Sequence, residues 1–314
     1  MKIIELTKEY IPRAEKLMME NYFEERSKVP ALPESPDFPK LDGLISKGIA
    51  VAAVEGDKLL GYLGAFGPHA PVFCTKDTAG FFSPIHAHAA QKENRARIYQ
   101  RMYEAASEKW VRSGALSHTI SLYTHDSVAK EAFFTYGFGM RCMDLIRENE
   151  KIEGDIPQGI NVFELDRNRQ SDIRCLREAL AHHLGKSPCF MVHTKAMNEN
   201  WISKREADKP RIFAAADGTK IIAYIELSKD GENFSTEGDD MLNISGAFCL
   251  EEYRGQNIAK GILSFMSDSV REEGITKLGV DCESFNPTAL HFWQKYFTPY
   301  TLSLVRRIDE LALI

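Results

Sequence analysis

"VAAVEGDKLLGYL", Val51 to Leu63, returns 162 residues later (51 to 213) as "FAAADGTKIIAYI", Phe213 to Ile225. The two stretches share Ala-Ala, Gly, Lys and Tyr in register, and each reads as two apolar strands joined by a tight Gly turn. Outward from this pair the correspondence continues. "RIYQRMYEAASEKW" from Arg97 lines up with "NIAKGILSFMSDSV" from Asn257, pairing Ile98 with Ile258, Met102 with Ile262 and Trp110 with Val270 at an offset of 160 (98 to 258). "DSVAKEAFFTYGF" from Asp126 lines up with "NPTALHFWQKYFT" from Asn286 at the same offset (126 to 286), and "IIELT" at Ile3 parallels "VFELD" at Val162. Blocks repeated in one order at a near-constant offset are the mark of an internal duplication.

Each half reads as a strand, one or two helices, two hairpin-like strands, a further strand, a long helix, a strand, a shorter helix and closing strands. That order predicts an α/β unit with an antiparallel front and a βαβ crossover behind it, a twisted mixed sheet flanked by helices. In the second half the pattern places strands near Val162, Ile212, Ile222, Asn243, Leu278 and Thr301, and helices near Ile173, Ala196, Ile258 and Ala289. The joint falls in "ENEKIEGDIPQG", Glu148 to Gly159, where charge, Gly and Pro interrupt the apolar pattern, giving domains 1–152 and 153–314.

Composition narrows the function classes. Of 314 residues, 44% are hydrophobic and 27% charged, with a formal net charge of −6. Such a chain presents no basic field for phosphate backbones or anionic lipid, and no apolar run is long enough to cross a bilayer. Neither nucleic acid nor membrane is an expected partner. The start, "MKIIELTKEYIPRAEK", mixes acidic with apolar residues and lacks a secretory apolar core, which predicts a cytoplasmic protein. The six cysteines, Cys74, Cys142, Cys175, Cys189, Cys249 and Cys282, show no zinc-ligand spacing and read as buried thiols. The "HAH" of His86 and His88 puts two imidazoles on one strand face without a third ligand, so a groove or a hydrogen-bonded core is expected rather than a metal.

"EYRGQNIAKGIL", Glu252 to Leu263, follows the apolar run "MLNISGAFCL" and opens a helix with Ile258, Ile262, Leu263, Met266 and Val270 on one face. A helix start carries unpaired N–H groups and the positive end of the dipole, so it can seat a phosphate. Arg254 adds a cation, Gly255 permits close backbone approach, Asn257 tolerates positive φ, and Ala259 keeps the surface low. Taken alone, the same residues also suit an ordinary strand-to-helix turn.

In context the arrangement resembles the GNAT superfamily of acyl-CoA N-acyltransferases, whose signature [Q/R]-x-x-G-x-[G/A] is met by Arg254 and Ala259 with Asn257 in place of the central Gly. A second family pattern, N-x-x-A-x-x-F/L-Y-x-x-x-G-F, is met in part, by Asn286, Ala289 and Phe292. The resemblance covers the chain as a tandem of two GNAT-like domains. It implies acetyl-CoA or a related acyl-CoA as cofactor. The pyrophosphate would lie on the backbone of Gly255, Gln256, Asn257, Ile258, Ala259 and Lys260. The pantetheine would run along Phe248, Cys249 and Leu250, with Asn286 and Trp293 beside it. The chemistry it implies is direct attack of an amine on the thioester, the carbonyl polarised by a strand N–H near Leu250.

The match has departures. Trp293 stands where the family has a tyrosine acid, so water or a nearby hydroxyl, Tyr296 or Tyr300, is the candidate proton donor. Glu226 and Glu283 are the candidate bases, against the plain reading of each as a strand-edge charge and against a water relay. In the first half the loop is "NRARIY": Asn94 replaces Arg254, Arg95 replaces Gly255, Arg97 replaces Asn257 and Tyr99 replaces Ala259, with Phe133 at the tyrosine position. That half is expected to keep the fold and lack the cofactor, and to shape the substrate cleft, buttress the second half, or both, with Arg95 and Arg97 at a solvated helix start rather than holding a phosphate themselves. "VPALPESPDFP", Val29 to Pro39, reads as an irregular loop bordering an acceptor site or simply lying on the surface. Phe292, Trp293, Tyr296 and Phe297 form an aromatic cluster, mostly core. His182 and His183 suggest no role, and Cys249 and Cys282 lack a partner base for nucleophilic work.

The expectation is an N-acetyltransferase acting on a primary amine of a small acceptor, monomeric or dimeric, without metal. The alternative is a non-catalytic CoA-binding or regulatory module. A pair of degenerate domains without a ligand is the third reading.

Overall fold

Gly56 and Gly218, the turn glycines of the repeated hairpins, both take φ of +56°, the left-handed region that a side chain would resist. The strands on either side therefore form as the repeat predicts. The computed structural model describes residues 1–46, 49–72, 75–154 and 156–313. It divides into two compact units: Met1–Asp144 together with the residues from Thr298 on, and Leu145–Phe297.

The first unit runs β1 (Lys2–Glu5), α1 (Ile11–Arg26), α2 (Asp42–Ser46), β2 (Val51–Glu55), β3 (Lys58–Leu63), β4 (Phe66–His69), β5 (Gly80–Ser83), β6 (His88–Ala90), α3 (Arg95–Arg112), β7 (Ser117–Tyr123), α4 (Ser127–Thr135) and β8 (Gly139–Glu148) as far as Asp144. β1, β2, β3 and β6 form one sheet with antiparallel pairing. β2 alternates between two cores: Val51 and Ala53 pack with Ile98, Met102 and Trp110 of α3, whereas Ala52 and Val54 pack with Ala14, Leu17 and Met18 of α1. A strand covered on both faces must be apolar throughout, which is why "VAAV" shows no alternation. β5 and β7 pair in parallel.

The second unit runs from Leu145 through β9 (Ile160–Leu165), α5 (Arg174–Gly185), α6 (Lys195–Asp208), β10 (Arg211–Asp217), β11 (Lys220–Ser228), β12 (Met241–Cys249), α7 (Ile258–Glu272), β13 (Lys277–Glu283) and α8 (Pro287–Trp293). β9 to β12 pair antiparallel and β12 pairs parallel with β13. The apolar stripe read from the sequence of α7 is fully realised: Ile258, Ile262, Leu263, Met266 and Val270 are all buried. Each such side chain contributes about 1.5–3 kcal/mol by leaving water. On the other side Ile173, just before α5, and Leu176 in its first turn join a cluster with Leu165, Ile212 and Tyr224.

The closing strand, β14 (Thr298–Arg307), lies in the first unit and not with the second-half residues that precede it. It pairs antiparallel with β7, from Thr301 opposite Tyr123 to Arg307 opposite Ser117. Leu302 and Leu304 enter the α3 core, and the Thr301 hydroxyl donates to Asp144. The compact units thus differ from a simple cut at 152/153. A repeat records the order of homologous segments, whereas membership of a sheet is settled by which ladder offers hydrogen-bond partners and apolar cover. Among the described residues no helix is long and apolar enough to cross a membrane.

Candidate functional site

In the second unit β12 and β13 stay paired only from Met241–Lys277 to Ile244–Val280. At the next residue, Ser245, the pairing of β12 with β11 skips a position: Leu227 faces Ile244 and Glu226 faces Gly246. A bulge of this kind bends its strand away from the ladder, so beyond Ile244 β12 follows β11 and parts from β13. The fork opens a cleft of about 410 Å³ whose walls include Tyr224 and Ile225 of β11, Ala247, Phe248 and Cys249 of β12, and Asn286, Ala289, Phe292 and Trp293 at α8.

One end of this cleft is the junction before α7. Gly255 has φ +76° and Asn257 has φ +62°, so both take the left-handed conformation that the sequence permits. Asn257 is the N-cap of α7, yet its side chain accepts no capping bond. The first-turn N–H groups therefore keep their hydrogen-bonding capacity and the helix dipole stays uncompensated there. Ile258, Ala259 and Lys260 line the cleft at this point. Arg254 is half-buried; its Nε donates to the Cys249 carbonyl at 3.1 Å and its guanidinium lies 5.4 Å from the Phe248 ring. The cation is thus fixed between the end of β12 and the start of α7.

Of the cofactor set read from sequence, Phe248, Cys249, Arg254, Gly255, Asn257, Ile258, Ala259, Lys260, Asn286 and Trp293 line this one cleft. Leu250 and Gln256 do not. The Leu250 N–H donates to the Ile222 carbonyl at 3.0 Å, so it has no hydrogen left to polarise a thioester. Because strand amides alternate in direction, Leu250 pointing to β11 leaves Ala247 and Cys249 pointing into the fork. Gln256 is exposed and donates to the Glu252 carbonyl.

The catalytic candidates separate. Tyr296 reaches the cleft, and partial burial raises its phenol above the ordinary range. Tyr300 is buried in β14 of the first unit and takes no part in the cleft. Glu226 is 2% exposed and ion-paired with Arg177 at 2.7 Å and with Arg205, which leaves it committed rather than poised as a base. Glu283 ends β13 outside the cleft lining; Glu232 and Cys189 are raised by burial first and by the negative field of Glu283 second. Burial pushes the Cys249 thiol up to about 11, so it is a neutral thiol at physiological pH and no nucleophile.

Other expectations are corrected in detail. Among the described cysteines only Cys282 is buried, Cys175 is exposed, and no disulfide forms; Cys74 lies outside the described residues. His183 lines the cleft, its ring 6.2 Å from Phe248, although the sequence suggested no role for it. The signal was its spacing of three from Leu180, also on the cleft wall. Trp293 and Phe297 are buried, while Phe292, Trp293 and Tyr296 face the cleft. Val29 and Leu32 anchor the Pro-rich loop in the first unit, helped by the Tyr22 hydroxyl donating to the Pro33 carbonyl at 2.6 Å. Among the described residues no group of His, Cys, Asp or Glu is arranged to hold a metal.

The first unit treats the equivalent places differently. α3 and α7 end in register at Arg112 and Glu272, but α3 starts at Arg95 and α7 only at Ile258, so α3 is one turn longer. The left-handed N-cap Asn94 therefore matches Asn257 rather than Arg254. Residues of the extra turn occupy the place of the Gly255–Asn257 loop. Arg95 is not solvated as expected: it is buried and forms ion pairs with Glu24 at 2.8 Å and Asp126 at 3.0 Å. Arg97 remains exposed.

His88 Nε2 lies 2.6 Å from the Ser121 carbonyl of β7 and its Nδ1 lies 3.0 Å from the Tyr99 hydroxyl. Burial lowers His88 to about 4. A neutral ring donating from Nε2 and accepting at Nδ1 satisfies both contacts. His88 is thus the hydrogen-bonded core histidine of the two sequence alternatives.

Residues 178–297, from within α5 to the last residue of the second unit, match the model of the acetyltransferase (GNAT) family. A GCN5-related N-acetyltransferase from Sphaerobacter thermophilus has a similar structure at 13% identity and a TM-score of 0.62, over 98% of this chain and 96% of that one. A tandem GNAT protein from the clavulanic acid biosynthesis pathway superposes at 10% identity and a TM-score of 0.50, over 98% of each chain. A GNAT-family acetyltransferase from Colwellia psychrerythraea gives 12% identity and a TM-score of 0.50, over 98% of this chain and all of that one. No curated protein sequence matches. Residues 178–297 thus belong to the acetyltransferase (GNAT) family, in a chain whose fold is that of tandem GNAT proteins.

Proposed function

We propose that the second unit transfers an acetyl group from acetyl-CoA, or a close acyl relative, to a primary amine of a small acceptor. One observation carries this: left-handed Gly255 and Asn257 turn the unpaired first-turn amides of α7 into a cleft that opens where β12 leaves β13. Gly255 to Lys260, with Arg254, would hold the pyrophosphate. The fork-facing amides of Ala247 and Cys249 would pair with the pantetheine and polarise the thioester carbonyl.

The amine nitrogen attacks the carbonyl carbon, a C–N bond forms, the C–S bond breaks, and the thiolate leaves. The ammonium proton passes to water, since Glu226 is committed to two arginines. Tyr296 is positioned as the donor to the thiolate. The first unit retains the fold without the cofactor, its helix start filled by Arg95.

Calorimetric titration with acetyl-CoA tests this reading. One site per chain, weakened at least 100-fold by Asn257→Glu, is the expected result. Absence of binding to the unaltered protein would overturn it, and two sites would overturn the reading of the first unit. Trp293 at the acid position and the commitment of Glu226 favour a second reading, a CoA-binding module without turnover. Release of free thiol from acetyl-CoA across an amine panel separates the two.

A further inference from the structure

Beside the cleft of the second unit, two residues along β11 from Tyr224 and next to Ala247 in β12, lies a buried cluster of unbalanced charge. Arg177 of α5 is 0% exposed, Glu226 of β11 is 2% and Arg205 of α6 is 21%. Glu226 accepts from Arg177 Nη2 at 2.7 Å and from Arg205 Nε at 2.6 Å, and Arg205 Nη2 donates to the Ser245 hydroxyl at 2.5 Å. Arg177 also donates to Gln170 Oε1 at 3.0 Å. Two guanidiniums face one carboxylate. Glu199 and Glu206 of α6 do not redress the excess, because Arg174 binds both. A surplus cation out of water is costly unless an anion accompanies it.

The position of the cluster gives the surplus a use. Glu226 faces Gly246 across the ladder, next to the bulge where the fork opens. Tyr224, on the same face of β11 two residues away, lines the cleft, and it lies within the field of Glu226, Arg177 and Arg205. Two residues along a strand span about 7 Å, which sets the cluster within a small molecule's length of the cleft. Gly246 adds no side chain between them; even a Cβ there would reach only 3.7 Å from Glu226. Arg205 is the one member with appreciable exposure, and among the described residues its Nη1 has no hydrogen-bond partner.

We propose that Arg205 binds a carboxylate of the acceptor, so that the substrate is an amine that also bears a carboxylate. This rests on the acetyltransferase reading of the same cleft and specifies its acceptor class. Arg177 and Glu226 hold the Arg205 guanidinium beside the bulge, and its free edge receives the carboxylate.

The test compares kcat/KM with acetyl-CoA for α- and ω-amino acids against their carboxamides. The carboxylates should be preferred about 10- to 100-fold, as for a charge-assisted hydrogen bond. Arg205→Gln should bring the two to the same level while acetyl-CoA binding stays unchanged, and Arg205→Lys should keep part of the preference. Equal rates in the unaltered protein, or a preference that survives Arg205→Gln, would overturn the proposal. Should Arg205→Gln fail to fold because Glu226 loses a partner, Arg205→Gln with Glu226→Gln removes both charges and carries the same expectation. Loss of acetyl-CoA binding by the unaltered protein would sink the transferase reading instead. Calorimetric binding of the same carboxylates and carboxamides would then decide the role of Arg205.

Discussion

At equivalent points of the duplicated fold, the first unit supplies from its own side chains what the second leaves open. His88 of β6 stands opposite Leu63 of β3, as Ala247 of β12 stands opposite Ile225 of β11. In the first unit an imidazole bridges to the Ser121 carbonyl of β7; in the second, a methyl group leaves the fork empty of side chain. In the first unit Arg95, with Glu24 and Asp126, fills the helix start; in the second, Gly255 and Asn257 leave a backbone concavity. Even the strand differs: β12 runs unbroken with one bulge, whereas the first unit divides the same course into β5 and β6 around a turn in which the Ala87 N–H bonds the Pro84 carbonyl. A binding fork is costly to keep open, since unpaired strand amides and helix N–H groups need partners. One copy meets that demand internally, and the other, as we propose, meets it with a cofactor.

The largest consequence concerns acid. Burial lowers both His88 and His118 to about 4, so the folded first unit resists protonation. Above an ordinary histidine value of 6.5 this has no cost. As pH falls from there towards 4 the unfolded chain binds protons that the folded one does not, and stability drops by up to about 3 kcal/mol per histidine. Hydrogen exchange followed peptide by peptide should show the first unit loosening between pH 6.5 and 4 well before the second. His88→Phe should flatten that dependence. Equal loosening of both units would remove this part of the contrast.

Next is Arg95. Arg95→Met strands Asp126 and Glu24 without their cation and should destabilise the first unit by about 2 kcal/mol, limited by the exposure of Glu24. Denaturant unfolding measures the loss. Acetyl-CoA stoichiometry should not change; a second site appearing in the variant would mean that Arg95 alone had closed the first unit.

The smallest effect sharpens the chemistry of the second unit. Tyr296→Phe should lower kcat about tenfold with KM for acetyl-CoA unchanged, because CoA thiolate leaves readily without full protonation. Trp293→Tyr should raise kcat by a similar factor. An unchanged kcat in Tyr296→Phe would return proton donation to water.

Much of this was legible in the chain. The hairpins, the α7 stripe and the junction at Gly255–Asn257 follow from local rules: periodicity, turn glycines and tolerance of positive φ. Ten of the twelve cofactor candidates came together, eight of them for the same reason, since a strand and the helix after it carry their residues along one path, while Asn286 and Trp293 come from the N-cap and the end of α8. Leu250 failed because strand alternation, not sequence proximity, decides which way an amide points. His183 and Tyr224 were missed because their nearness to the fork depends on how α5 and β11 pack. Glu226 was misjudged because Arg177 and Arg205 are 49 and 21 residues away, and spacing cannot reveal a partner that only folding brings.

The amino-acid sequence by itself determined that this chain is a duplication of one α/β unit, that only the second copy keeps a low turn of small residues, Gly255 and Ala259, at its long helix, and that the first carries bulk there. These are properties of short segments, set by sterics and period. Tertiary structure alone decided that β14 joins the first unit, that His88 and Arg95 face inward, and that Arg205 shares Glu226 with Arg177. Each of those is a choice among distant partners, made by ladder hydrogen bonds and buried charge, and no local pattern encodes it.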